Sequence, residues 1–199
     1  MDERQRTENF ERMRAALEAQ GWRGTACTIS VVRANVMAFA TAGPVAAVCV
    51  LLFFIKHPAG GFSFTWRGYL LFFAGMILSV PVHEFLHGLT WSLYCKNGWR
   101  SIHIGVLWKK LTPYCCCMEP LSPGAYLLGG LAPFVVLGLG SFAAAMAAGS
   151  VGWLWLSAFN MLAAGGDTTI ALMLLLRRPG GDRIIDHPTA CGFWAFSRG

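Results

Sequence analysis

The sequence predicts an all-α membrane protein: a bundle of four transmembrane helices, with an amphipathic N-terminal helix and a candidate β-hairpin between helices two and three. Three observations predict this class. Of 199 residues, 55% are hydrophobic and only 13% charged, with a mean hydropathy of +0.51, more apolar than one soluble core requires. Four apolar runs are each long enough to cross a hydrocarbon layer of about 30 Å. Apart from Glu84 and Asp167, charge lies between those runs rather than within them, as lipid demands.

The first 34 residues form an expected cytoplasmic segment holding Arg4, Arg6, Arg12, Arg14, Arg23 and Arg33, with acids interspersed. Phe10, Met13 and Leu17 recur at helical spacing, so 7–20 reads as an amphipathic helix. Its stripe either lies on the membrane surface or packs against the domain as one side of a solvated helix. No signal-peptide pattern is evident, since the first apolar run begins near Asn35, behind this charged stretch.

The membrane core is expected over 35–176. Its first span, 35–55, should bend at Gly43-Pro44, and the connection 56–68 carries Pro58, Gly60 and Gly61 as turn signals. The second span is 69–91, where Pro81 removes one backbone hydrogen bond; the kink either opens the helix to water or serves packing alone. In the polar connection 96–122, the β-branched and aromatic stretch 101–108 can pair with 113–118 after Lys109-Lys110, or the whole can fold as a loop over the bundle. As a hairpin it offers an edge to an extended substrate. The third span, 125–148, is rich in Gly and Ala, and Gly149-Ser150 leaves so short a turn that it should pack tightly against the fourth, 151–176. The remainder, 177–199, reads as a basic, Pro/Gly-rich cytoplasmic tail in which Asp186 makes a turn or cap and His187 lies on the surface.

Seven Cys is an odd number and Cys115-Cys116-Cys117 are consecutive, unlike the paired framework of a small secreted domain. In a strand, Cys115 and Cys117 share a face that Cys116 does not, so the three thiols do not suit one metal and read first as small buried hydrophobes.

The second span carries the chemistry, in His83-Glu84-Phe85-Leu86-His87. Residues i and i+4 share a helix face, so the two imidazoles can be sent toward one cation, while Glu84 can reach a polarised water without being a ligand. An accidental match would have to place three ionisable groups in a span where each costs roughly 2.5–3.5 kcal/mol.

The charge distribution orients the chain. With the N-terminus in the cytoplasm, fourteen of the 16 Lys and Arg face inward and only Lys56 and Arg67 face outward. Basic residues flanking apolar runs make the lipid bilayer the expected partner and argue against nucleic acid, despite a net charge of +6. The location implied is the cell membrane, multi-pass, with both termini cytoplasmic. His87 then lies roughly 6 Å and Asp167 roughly 14 Å from the cytoplasmic ends of their spans, at about 1.5 Å per residue. Asp167, in Gly165-Gly166-Asp167, is the only carboxylate in the spans besides Glu84, and its depth makes it the expected third ligand, with Glu119 from the loop as the next candidate. Asn160, two turns before Asp167, either donates to a developing oxyanion or makes an interhelical polar contact.

On these residues the chain resembles site-2-protease-type intramembrane metallopeptidases. It resembles more closely a bacterial membrane family of zincin peptidases, through residues 81–88, 111–121, Gly166-Asp167 and Asp186-His187-Pro188, within roughly 69–192. It departs from the family pattern at Cys116, where a His is common, and at Met118, where a Lys is common. The Asn-Pro-Asp-Gly type of sequence of site-2 proteases is replaced by Gly165-Gly166-Asp167-Thr168. The resemblance implies a zinc metallopeptidase: Zn2+ on His83, His87 and Asp167, Glu84 as general base, and a membrane or membrane-proximal protein as substrate. The alternative is a non-catalytic membrane metal-binding protein, or a scaffold that keeps the metal site.

Overall fold

The computed structural model describes residues 3–58, 65–107, 112–177 and 182–198, which are mostly helical with two small antiparallel sheets. The turn signals Gly60 and Gly61 and the Lys109-Lys110 turn lie outside the described residues. The order is α1 (Glu3–Glu18), β1 (Trp22–Ile29), α2 (Val31–Lys56), α3 (Trp66–Ser92), β2 (Ile102–Leu107), β3 (Thr112–Cys117), α4 (Pro123–Pro133), a π-helical turn (Phe134–Leu139), α5 (Gly140–Ala148), α6 (Val151–Ala163), α7 (Gly165–Arg177), β4 (Arg183–Asp186) and β5 (Cys191–Arg198).

Three helices are long and apolar enough to cross a membrane: α2, α3, and the α4–α5 stretch Pro123–Ala148. This is a membrane protein. Ser30, Thr65 and Ser122 cap the N-termini of α2, α3 and α4, each hydroxyl accepting from a backbone N–H three residues on. α2 continues through Pro44 and α3 through Pro81, both remaining helical throughout. The expected fourth span is not one helix. α6 and α7 meet at a 48° bend, because Gly165 and Gly166 weakly favour helix and Gly165 packs so closely on α2 that an added Cβ would lie 2.9 Å from the Ala38 carbonyl oxygen. Thr41 and Thr168 hydrogen-bond at 2.7 Å across the same contact. Gly149, with φ +61°, ends α5 and Ser150 caps α6, giving the tight turn the sequence anticipates.

The all-α expectation is corrected by the sheets. β1, β5 and β4 form a three-stranded antiparallel sheet in that order, pairing Trp22 with Arg198 and Ile29 with Cys191. Thus the stretch expected as a tail pairs with the N-terminal segment. Side chains alternate with the strand period: Phe193, Ala195 and Ile184 face the helices with Trp91, Leu121, Tyr126 and Leu174, while Phe196 and Ile185 face Phe10 and Leu17 of α1. The stripe of α1 is therefore covered by protein. Full burial of Phe193 and Phe196 contributes roughly 1.5–3 kcal/mol each to holding this layer in place.

β2 and β3 form the hairpin, with Ile102 opposite Cys117 and Leu107 opposite Thr112. It lies against α3 at Gly88, where an added Cβ would meet Ile102 Cγ2 at 2.7 Å and Cys115 Sγ at 3.3 Å.

Candidate metal centre

One turn of α3 brings His83 and His87 together, with ring centroids 4.8 Å apart and Nε2 atoms 3.1 Å apart. The bend before α7 sets Asp167 in the first turn of that helix, its Oδ2 3.1 Å from His83 Nε2 and its Oδ1 3.4 Å from His87 Nε2. One ligand atom from each residue lies within 4.8 Å of the other two.

These separations fit a shared ion. Two ligands about 2.0–2.1 Å from one tetrahedral zinc lie roughly 3.3 Å apart. The protonation pattern fits as well. His87 donates through Nδ1–H to the Gly129 carbonyl at 2.8 Å, which leaves Nε2 as the nitrogen that faces His83 and Asp167. Two imidazoles and one carboxylate are a borderline-soft set suited to zinc, with a fourth position left for water.

α4 supports His87 through the carbonyls of Gly129 and Tyr126. Trp91 stacks on His87, with centroids 5.2 Å apart, and its Nε1–H donates to the Tyr126 carbonyl at 3.2 Å. Its indole presses on Gly129 so closely that a Cβ there would lie 2.1 Å from ring atoms, so only glycine admits this packing. The Tyr126 hydroxyl donates to Asp186 Oδ1 at 2.6 Å, tying β4 to α4.

Glu84, His83, His87 and Asp167 line one cavity of about 260 Å³, together with Tyr114, Cys115, Tyr126 and Asp186. β3 borders it. The Cys115 backbone N–H donates to the Glu84 carboxylate, and the Cys117 N–H donates to Asp186. By strand alternation Pro113 faces the same edge, and it has no N–H. The edge near the site therefore offers carbonyl acceptors, its donors being already engaged or missing. Burial pushes the Cys115 and Cys117 thiols well above the usual range and Cys116 up to about 12, so all three are protonated hydrophobes at neutral pH. Cys95 and Cys117 meet at 3.0 Å between sulfurs, both as free thiols.

Other candidates stand elsewhere. Asn160 is buried on α6 and is absent from the residues lining the cavity, because the bend before α7 breaks the shared face that its spacing from Asp167 implies. Glu119 is held at the end of α3, accepting from Lys96 N–H at 2.8 Å, from Asn97 and from the Ser101 hydroxyl. Burial opposes its ionisation, but these donors outweigh it and hold the carboxyl below its usual range. His187 Nδ1 accepts from the N–H groups of Thr189 and Ala190, which makes it a turn residue. Asp186 is the residue that sequence reasoning missed. Burial pushes its carboxyl up, only partly offset by the Tyr126 hydroxyl. Its signal was the Asp186-His187-Pro188 motif, which reads locally as a turn.

Two histidines and a glutamate on one membrane helix, with a carboxylate supplied by another, define a candidate mononuclear zinc centre in a membrane protein. A family model described as "Putative zincin peptidase" matches residues 76–181. The match spans more than half of the chain and includes all four of these side chains, and the chain belongs to this family. No curated protein and no solved structure matches it.

Proposed function

We propose that the chain is a zinc-dependent intramembrane metallopeptidase of the site-2-protease-like kind, cleaving a membrane or membrane-proximal peptide on the cytoplasmic side of the cell membrane. The observation that carries this reading is the meeting of His83, His87 and Asp167 in the cavity that Glu84 also lines. In this reading the bent α6–α7 pair serves as the fourth crossing, and the excess of Lys and Arg sets both termini in the cytoplasm.

A zinc ion on His83, His87 and Asp167 supplies, when bound, a Lewis acid that polarises the scissile carbonyl and acidifies water. Glu84 accepts the proton of the attacking water and returns it to the leaving amide nitrogen, and the Cys115 N–H orients its carboxylate for both steps. The carbonyls of β3 accept from the substrate backbone and hold it extended. Asn160 acts away from the cavity, as a packing contact rather than an oxyanion donor.

The test is Glu84→Gln in full-length protein reconstituted into liposomes with a quenched-fluorescence peptide library. Wild type is expected to cleave, and the variant to retain zinc while losing at least about 100-fold in rate. Cleavage unaffected by the variant rules out the peptidase reading. Zinc bound by both, with cleavage by neither, leaves the non-catalytic metal-binding protein.

A further inference from the structure

In an α-helix the carbonyl of residue i accepts from the N–H of residue i+4. For Gly129 that donor would be residue 133, which is Pro133 and has no N–H. The Gly129 carbonyl is buried among Trp91 and His87, where an unsatisfied acceptor is costly, and it takes its hydrogen bond instead from His87 Nδ1–H at 2.8 Å. The next residue, Phe134, donates to Leu131 and begins the π-helical turn, so the chain beyond Pro133 does not replace the missing donor. Pro133 itself is fully buried.

From this we infer that Pro133 is a positioning residue for the metal centre: by withholding a helical N–H it reserves the Gly129 carbonyl for His87 Nδ1, fixing the orientation of the imidazole with Nε2 toward His83 and Asp167. The inference rests on the metal-site reading proposed above. It assigns a role to a helix proline whose usual description is a kink. The carbonyl is the outer-shell partner that metal-bound histidines commonly require, here made available by the absence of a backbone donor four residues on. Gly129 completes the device, since only a residue without Cβ lets Trp91 pack on this turn of α4 while it stacks on His87.

Pro133→Ala restores an N–H that competes for the Gly129 carbonyl. Two readouts then separate. The regained helix N–H offsets the loss of buried ring atoms, so the metal-free protein should keep a thermal midpoint close to that of wild type. Zinc affinity, measured by chelator competition on the detergent-purified full chain, should fall at least about 10-fold. In the zinc-loaded protein, the ¹⁵N spectrum of the His87 ring should change from one form, with Nδ1 protonated and Nε2 bound, to a mixture. Pro44→Ala, in the interior of α2, serves as the control and should leave zinc affinity within about 2-fold. Unchanged affinity in Pro133→Ala, or equal losses in both variants, overturns the inference. Should Pro133→Ala fail to fold, Pro133→Val, which restores the N–H and keeps more of the buried volume, is measured in its place with the same expected and overturning results. Failure of wild type to bind zinc at all instead removes the metal-site reading on which it rests.

Discussion

Nε2 of His87 on α3 lies 3.4 Å from Oδ1 of Asp167, in the first turn of α7 just after the 48° bend. The bend turns a carboxylate toward a histidine pair that one turn of α3 had already aligned. Asp167→Ala should therefore weaken zinc binding by more than the roughly 10–100-fold typical of outer-shell losses, as read by chelator competition. An affinity equal to wild type would remove Asp167 from the centre.

Gly129 and Gly88 are the close contacts that set the supports in place. Gly129→Ala puts a methyl 2.1 Å from the Trp91 ring, and Gly88→Ala puts one 2.7 Å from Ile102. Each should destabilise by about 1–3 kcal/mol in thermal or denaturant unfolding. Only Gly129→Ala should also lower zinc affinity, because it displaces the indole stacked on His87.

The Tyr126 hydroxyl and Asp186 tie the terminal sheet to α4. Tyr126→Phe deletes one charge-assisted hydrogen bond and should cost about 1.5–3 kcal/mol of stability. If Tyr126→Phe and Asp186→Ala act through this bond, the double variant should lose less than the sum of the two. Strict additivity would mean the pair does not interact.

Glu119 gives the acid limb of stability a specific source. Its carboxyl is held below its usual range in the folded chain, so its contribution is present above the unfolded value near 4.5 and is lost as pH falls through the lower, folded value. Glu119→Gln should flatten that limb and, because the group is largely solvated, cost only about 1 kcal/mol at neutral pH. The check is the unfolding midpoint of both proteins from pH 7 downward.

How much of this is written in the sequence depends on the range of the interaction. His83, Glu84 and His87 are legible because helical spacing is local, and the approach of Asp167 is legible because span depth can be counted along a chain. The hairpin shows in its β-branched stretch, and the Gly149-Ser150 turn in its two residues. The three-stranded sheet is illegible for the opposite reason: β1 lies among charged residues near the N-terminus, its partner β5 near the C-terminus, and neither has enough period-two pattern to name the other. Asp186 looks like a turn residue until that sheet carries it to Tyr126. Asn160 shares a face with Asp167 only if the helix is straight, and Gly165-Gly166 bends it.

The central claim is that this chain holds one catalytic-type zinc ion on His83, His87 and Asp167. Elemental analysis by plasma mass spectrometry of the full chain purified without added chelator tests it most directly, beside His83→Ala and Asp167→Ala prepared identically. The expected result is about one zinc per wild-type chain and a marked loss in both variants. Zinc absent from wild type, or retained in full by both variants, contradicts it.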